Sequence, residues 1–216
     1  TDKGEDSNIA GLRAQILSNL ATFEDAAIIA KARVYFADYL IDKNRLPAEL
    51  KNTVLNIIAE NATDAEWQKM LEIAKTSNSF AEQKSLYNRL GVAKNIALTK
   101  KAMQLSLDAT TPITIRPDLL YATSDLYLNE TLDFVMTHHD QLMAAIDKTS
   151  RTEYVPSMMS TGNQSEMLSQ LDAYAKKYLT ESSQRIVDKA KASISYNVML
   201  REKAVPEILQ WLKTEN

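Results

Sequence analysis

Of the side chains that most often carry enzyme chemistry, these 216 residues hold two histidines and no cysteine, and the histidines are badly spaced for it. The only histidines, His138 and His139, are adjacent, with Asp140 next. Neighbours on a helix point about 100° apart. A helical metal pair needs ligands four residues apart, as in His-Glu-x-x-His. His139 falls on an apolar stripe and reads as a packed core residue, His138 as one that reaches solvent. With Cys 0, thiol catalysis, disulfides, Cys-ligated zinc and iron–sulfur clusters are excluded.

The sequence holds no Gly-x-Ser-x-Gly, no dinucleotide fingerprint and no phosphate-cradling loop. With Gly 4 in the whole chain, a glycine-dependent phosphate site has no material. Carboxylates at helical spacing, such as Glu202 and Glu207, do not make a pair held in contrasting environments, which acid–base catalysis requires. No catalytic residue and no metal ligand is assigned. Two features remain as candidate substrate contacts. Arg116 sits in a stiff stretch between Pro112 and Pro117, where its fork of donors suits a carboxylate; the competing reading has it bonded to nearby helix carbonyls. Tyr121 belongs to a set with Tyr127, Tyr154, Tyr174, Tyr178 and Tyr196 that reads either as a concave binding face or as groove packing with wet hydroxyls.

The elements that must position these residues are helices. Apolar residues recur at helical spacing in Ile28, Ala32, Tyr35 and Tyr39, in Leu50, Val54 and Ile57, and in Trp67, Leu71 and Ala74. Leu132, Val135, His139, Leu142 and Ile146 trace another stripe, and Ile186, Ala190, Ile194 and Val198 a long one near the end. Thr63 to Glu66 and Ser79 to Glu82 fit the capping box, and Asn163 with Glu166 repeats its logic. The five prolines fall at or near expected helix ends. Ten to twelve helices follow from these signals. Thr110 to Pro117 reads as extended, because it is β-branched and bracketed by prolines. No composition shift marks a boundary, so residues 1–216 read as one domain.

Composition agrees with helices. Average usage would give roughly 15 glycines and about 11 prolines, against Gly 4 and Pro 5 here. That deficit suits long helices on short polar connections rather than a turn-rich sheet. The expected fold is all-α, with antiparallel helix pairs stacked in a HEAT- or armadillo-like superhelix. Net charge is −3 with both signs interspersed, which leaves no footprint for nucleic acid. No apolar run is long enough to span a membrane, and nothing reads as a signal peptide. The chain reads as soluble, in the cytoplasm or the bacterial periplasm. A start at Thr1 without methionine suggests a fragment or processed form.

The order of segments resembles the C-terminal helical domain of the aminopeptidase N and puromycin-sensitive aminopeptidase family of zinc peptidases. The resemblance begins at Lys3-Gly4-Glu5 and Leu12-Arg13-Ala14-Gln15-Ile16-Leu17. It continues through Leu46-Pro47-Ala48-Glu49-Leu50, Trp67 behind its acidic cap, and Leu132-Asp133-Phe134-Val135 to Leu142. Met159-Ser160-Thr161-Gly162-Asn163 and Ile208-Leu209-Gln210-Trp211-Leu212 are similar to the domain's close. A tryptophan common in the family is replaced by His139.

The resemblance implies a bowl-shaped cap with no catalytic site of its own, closing over an upstream domain of the same polypeptide. That domain would bring the zinc and the general base, so the parent enzyme would be a zinc-dependent aminopeptidase. Peptide substrate would be the second partner. In some relatives the segment matching Thr111 to Pro117 approaches the substrate carboxylate. The family's binding arginine aligns near Thr111, so Arg116 is the residue expected to substitute. The alternative reading is a stand-alone helical-repeat scaffold for a protein partner, which would carry polar capping helices at both ends.

Overall fold

The structure is a computed structural model that describes residues 6–214; the Lys3-Gly4-Glu5 opening lies outside them. The described residues are all-α and contain no strand. They form two compact units, one ending at Leu126 and the next beginning at Tyr127. The division falls past the Thr110–Pro117 segment. No helix is long and apolar enough to cross a membrane among the described residues.

The first unit contains α1 (Ser7–Thr22), α2 (Ala26–Ile41), α3 (Ala48–Glu60), α4 (Asp64–Thr76), α5 (Phe80–Leu90), α6 (Ile96–Leu105) and α7 (Arg116–Thr123). Most of their starts carry a side-chain cap, which satisfies amide groups that have no partner in the first turn. Asp6, Asp25, Ser79 and Asn95 each accept from such an amide. Thr63 makes the full capping box with Glu66, whose carboxylate receives the Thr63 N–H at 2.8 Å. The other oxygen of that carboxylate takes Arg33 Nε of α2 at 2.9 Å, so one residue caps α4 and ties it to α2.

The second expected box is only half made. Ser79 Oγ accepts from the Glu82 N–H, but the Glu82 carboxylate is drawn away to Lys51 (2.9 Å), Ser77 (2.8 Å) and Lys43 (3.2 Å). Two cations outcompete one neutral amide for it. Their hydrogen bonds, with Lys51 first, lower the Glu82 pKa to about 2.

The core of this unit is continuous. Ala32, Tyr39, Val54, Ile57, Leu71 and Ala74 are buried in it, as the stripes predict, with Phe36 beside them. Trp67 is 3% exposed and its indole N–H donates to the Leu90 carbonyl at 3.0 Å. At Gly91, which follows α5, an added Cβ would lie 3.0 Å from the Leu119 carbonyl oxygen and from the Ala122 Cβ, so α7 packs there only against a glycine. With so few glycines, a left-handed position falls to Glu24 (φ 63°) between α1 and α2.

The second unit contains α8 (Leu128–Thr137), α9 (His139–Ala145), α10 (Arg151–Met159), α11 (Glu166–Tyr178), α12 (Gln184–Met199) and α13 (Val205–Thr214), the last two joined by a π-helical turn, Leu200–Ala204. The stripe from Leu132 to Ile146 is not one helix. The helix stops at Thr137, whose hydroxyl bonds back to the Asp133 carbonyl at 2.8 Å, and His138 leaves helical geometry (φ −114°, ψ 23°). Such back-bonding favours a bend. Asn163 is not a cap either: α11 starts at Glu166 behind Ser165, with no side-chain cap bond. The Ser160–Asn163 loop is instead held from α12 and the turn after it, by Asn197 (3.1 Å to the Ser160 carbonyl) and Arg201. Pro156 lies inside α10, buried, rather than at a helix end.

Thr110 to Pro117 is not extended. It is a chain of turns, with Thr111 N–H on the Asp108 carbonyl (3.1 Å) and Ile115 N–H on that of Pro112 (2.9 Å), and it runs directly into α7. Pro117 sits in the first turn of that helix, where no amide proton is needed.

Candidate functional site

Arg116 opens α7 and is half-buried. Its Nε donates to the Thr111 carbonyl at 2.9 Å and its Nη2 to that of Ala109 at 3.3 Å. The guanidinium thus fastens the preceding turns, and Nη1 lies outside both bonds. Its charge also helps hold the Asp108 carboxyl low, behind the hydrogen bonds from Thr110. Tyr121 lies further along α7, also half-buried; burial and then nearby Asp125 raise its pKa. A cleft of about 600 Å³ opens beside this helix. Arg89, a half-buried cation that lines it beside Lys94, is bonded to Asn52, Asn56 and Ser85, all neutral, so this cleft reads as internal bracing.

The tyrosines do not form one face. Tyr174 and Tyr178, a turn apart on α11, come together with His139 of α9. The imidazole stacks on Tyr178 (centroids 3.8 Å, 23° between planes) and meets Tyr174 edge-on at 5.8 Å. Its Nδ1 is 3.1 Å from an Asp140 oxygen and its Nε2 3.3 Å from the Tyr174 hydroxyl. At 12% side-chain exposure His139 is packed, as its stripe predicts, but against rings rather than aliphatic core. His138 is half-buried and lies against Phe134 at 4.7 Å. Tyr196 stands apart, 58% exposed.

Beside the aromatic group a cleft of about 530 Å³ runs between α8 and α11. Leu132, Met136 and Met159 supply apolar surface, and Tyr174, Tyr178 and Lys177 form one wall. Lys177 Nζ sits 4.8 Å over the Tyr178 ring, a cation–π contact. Asn129, Asp133, Gln164 and Gln170 also line the cleft, and their side chains make no hydrogen bond to other described residues. Primary amides donate and accept in the plane of a peptide group, and an apolar floor accepts a side chain. Such a cleft suits an uncharged, extended peptide segment better than a compact anion.

Sequence reasoning named the tyrosines but missed this cleft. Its lining comes from helices far apart in the chain, and Asn129, Gln164 and Gln170 look like ordinary surface residues. Among the described residues no three His, Cys, Asp or Glu groups gather as a metal site. The zinc that the family implies therefore finds no fit in the chain described.

No curated protein matches the chain significantly. A family model described as the ERAP1-like C-terminal domain matches residues 1–196, ending before the π-helical turn and α13 and so before Ile208–Leu212. With nine-tenths of its length inside that match, the chain belongs to the ERAP1-like C-terminal domain family, the C-terminal domain of the M1 aminopeptidases.

Proposed function

We propose that residues 1–216 work as one substrate-enclosing cap of a zinc aminopeptidase, with helices stacked in the HEAT or armadillo manner. The zinc and the hydrolytic machinery belong to the catalytic domain of the same polypeptide. The observation that carries this reading over a stand-alone scaffold is the character of the end helices. Along α1, Ile9, Leu12, Ile16 and Leu20 are exposed on one stripe, followed by Phe23 at 82%; on α13, Ile208, Leu209, Leu212 and Trp211 (59%) are exposed. A free-standing helical repeat needs polar ends, whereas faces this apolar belong against another protein surface.

The α8/α11 cleft is the surface we assign to peptide, and Arg116 with Tyr121 remains a second candidate contact. Binding is measured by anisotropy with a fluorescent, N-acetylated and C-amidated Ala-Leu octapeptide. Gln170→Ala should weaken it about three- to tenfold, the worth of one hydrogen bond. In the parent enzyme Arg116→Ala should raise KM for short peptides with kcat unchanged. Equal affinity for the wild type and the Gln170 variant removes the cleft from the reading; an unchanged KM removes Arg116.

A further inference from the structure

Tyr174 lines the cleft, and His139, which does not line it, touches the Tyr174 hydroxyl through Nε2. A carboxylate can only accept, so the His139 nitrogen facing Asp140 carries a proton. In the neutral ring Nε2 is then the acceptor, and the Tyr174 hydroxyl gives it its one proton across 3.3 Å. An imidazolium donates from both nitrogens. Nε2 then takes the Tyr174 oxygen as its acceptor, and the phenolic proton is released to another partner. Tyr174 keeps that proton throughout, because burial, and then Tyr178, push its pKa up to about 12. No other hydrogen bond to this hydroxyl occurs among the described residues. The group is thus a one-proton relay with two settings.

We infer that His139 sets whether Tyr174 is available as a hydrogen-bond donor to a ligand in the α8/α11 cleft, so that peptide carbonyl oxygens are held more tightly when His139 is protonated. This rests on the cleft being a peptide site. The titratable groups facing the ring are Asp140 on its own helix and Tyr174 and Tyr178 on α11. Lys177 lies over Tyr178, and Asp133 of α8 is in the same cleft. Histidine is the side chain whose ordinary titration falls between about pH 5 and 8, which sets the range to search. Tyr174 is a specificity-determining residue in this scheme and His139 a positioning one.

The same octapeptide is titrated at pH 5.5 and pH 8. Affinity at the lower pH should be about three- to tenfold higher, one hydrogen bond's worth. Tyr174→Phe should bind like wild type at pH 8 and lose the pH dependence. His139→Phe, which keeps a ring against Tyr178, should lose it too. A second readout needs no ligand: nitrogen NMR of labelled histidine at pH 8 should show His139 protonated at Nδ1, with His139→Phe giving the assignment. A ring protonated at Nε2 overturns the relay whether or not peptide binds. Wild-type binding that is equal at both pH values overturns it while leaving the peptide cleft standing. Absence of binding at both pH values overturns the peptide reading, and the inference with it.

Discussion

The two units hold their helices in different ways. In the first, five helices begin on a side-chain cap, and polar groups tie separate segments together: Glu66 to Arg33, Glu82 to Lys43 and Lys51, Trp67 to the Leu90 carbonyl. In the second, α8 to α12 begin with no side-chain cap bond. A proline is buried inside α10, a helix breaks at His138, and a π-turn follows α12. Four methionines, Met143, Met158, Met159 and Met167, are buried there. Unbranched thioethers fill irregular gaps and adapt. Both units hold a cleft, but caps and bridges fix position in the first, while the second combines irregular backbone and soft packing with a cleft lined by uncommitted amides. Irregular elements are where strain and adaptability concentrate.

Each of these devices can be removed singly, and the costs should rank in order. Trp67→Ala empties the largest piece of the first core and should cost about 3–5 kcal/mol. Urea denaturation followed by circular dichroism reads this, and a cost near 1 kcal/mol would mean the first unit is as adaptable as the second. Glu82→Gln should cost about 2 kcal/mol at pH 7. The Glu82 pKa is lowered from 4.5 to about 2. Its contribution is therefore complete above pH 4.5, declines as pH falls toward 2, and the variant and the wild type should converge in acid. A gap that persists at pH 2 would show that packing, not charge, separates them.

The smallest effect is the most direct contrast. Thr63→Ala removes a working cap and should cost about 1 kcal/mol. Ser165→Ala, at the start of α11 where the hydroxyl caps no amide, should change stability by under about 0.5 kcal/mol. Equal losses at the two positions would erase the distinction between capped and uncapped units.

Regular helices in the first unit were legible because their signals are local. Thr63 and Glu66 meet within one turn whatever surrounds them, and the stripe Trp67, Leu71, Ala74 needs only some core to face. The same logic failed wherever a distant group competed. Glu82 has the right spacing from Ser79, yet Lys51, thirty-one residues away, takes its carboxylate. Asn163 has the right spacing from Glu166, yet the loop is arranged by Asn197. Extension between Pro112 and Pro117 gave way to turns whose hydrogen bonds end on Asp108 and Pro112.

By itself, then, the sequence determined the helical class, the chief core faces and the family resemblance, since periodicity, caps and segment order are properties of neighbours along the chain. Only the tertiary structure decided the candidate site. Asn129, Gln164 and Gln170 carry no local signal, and His139 reads as plain core. They acquire a role because the break at His138 and the course of α11 bring two phenols and uncommitted amides to one cleft and set an imidazole against those phenols. Helical periodicity fixes which way a side chain faces; it holds no information about which distant helix it will meet.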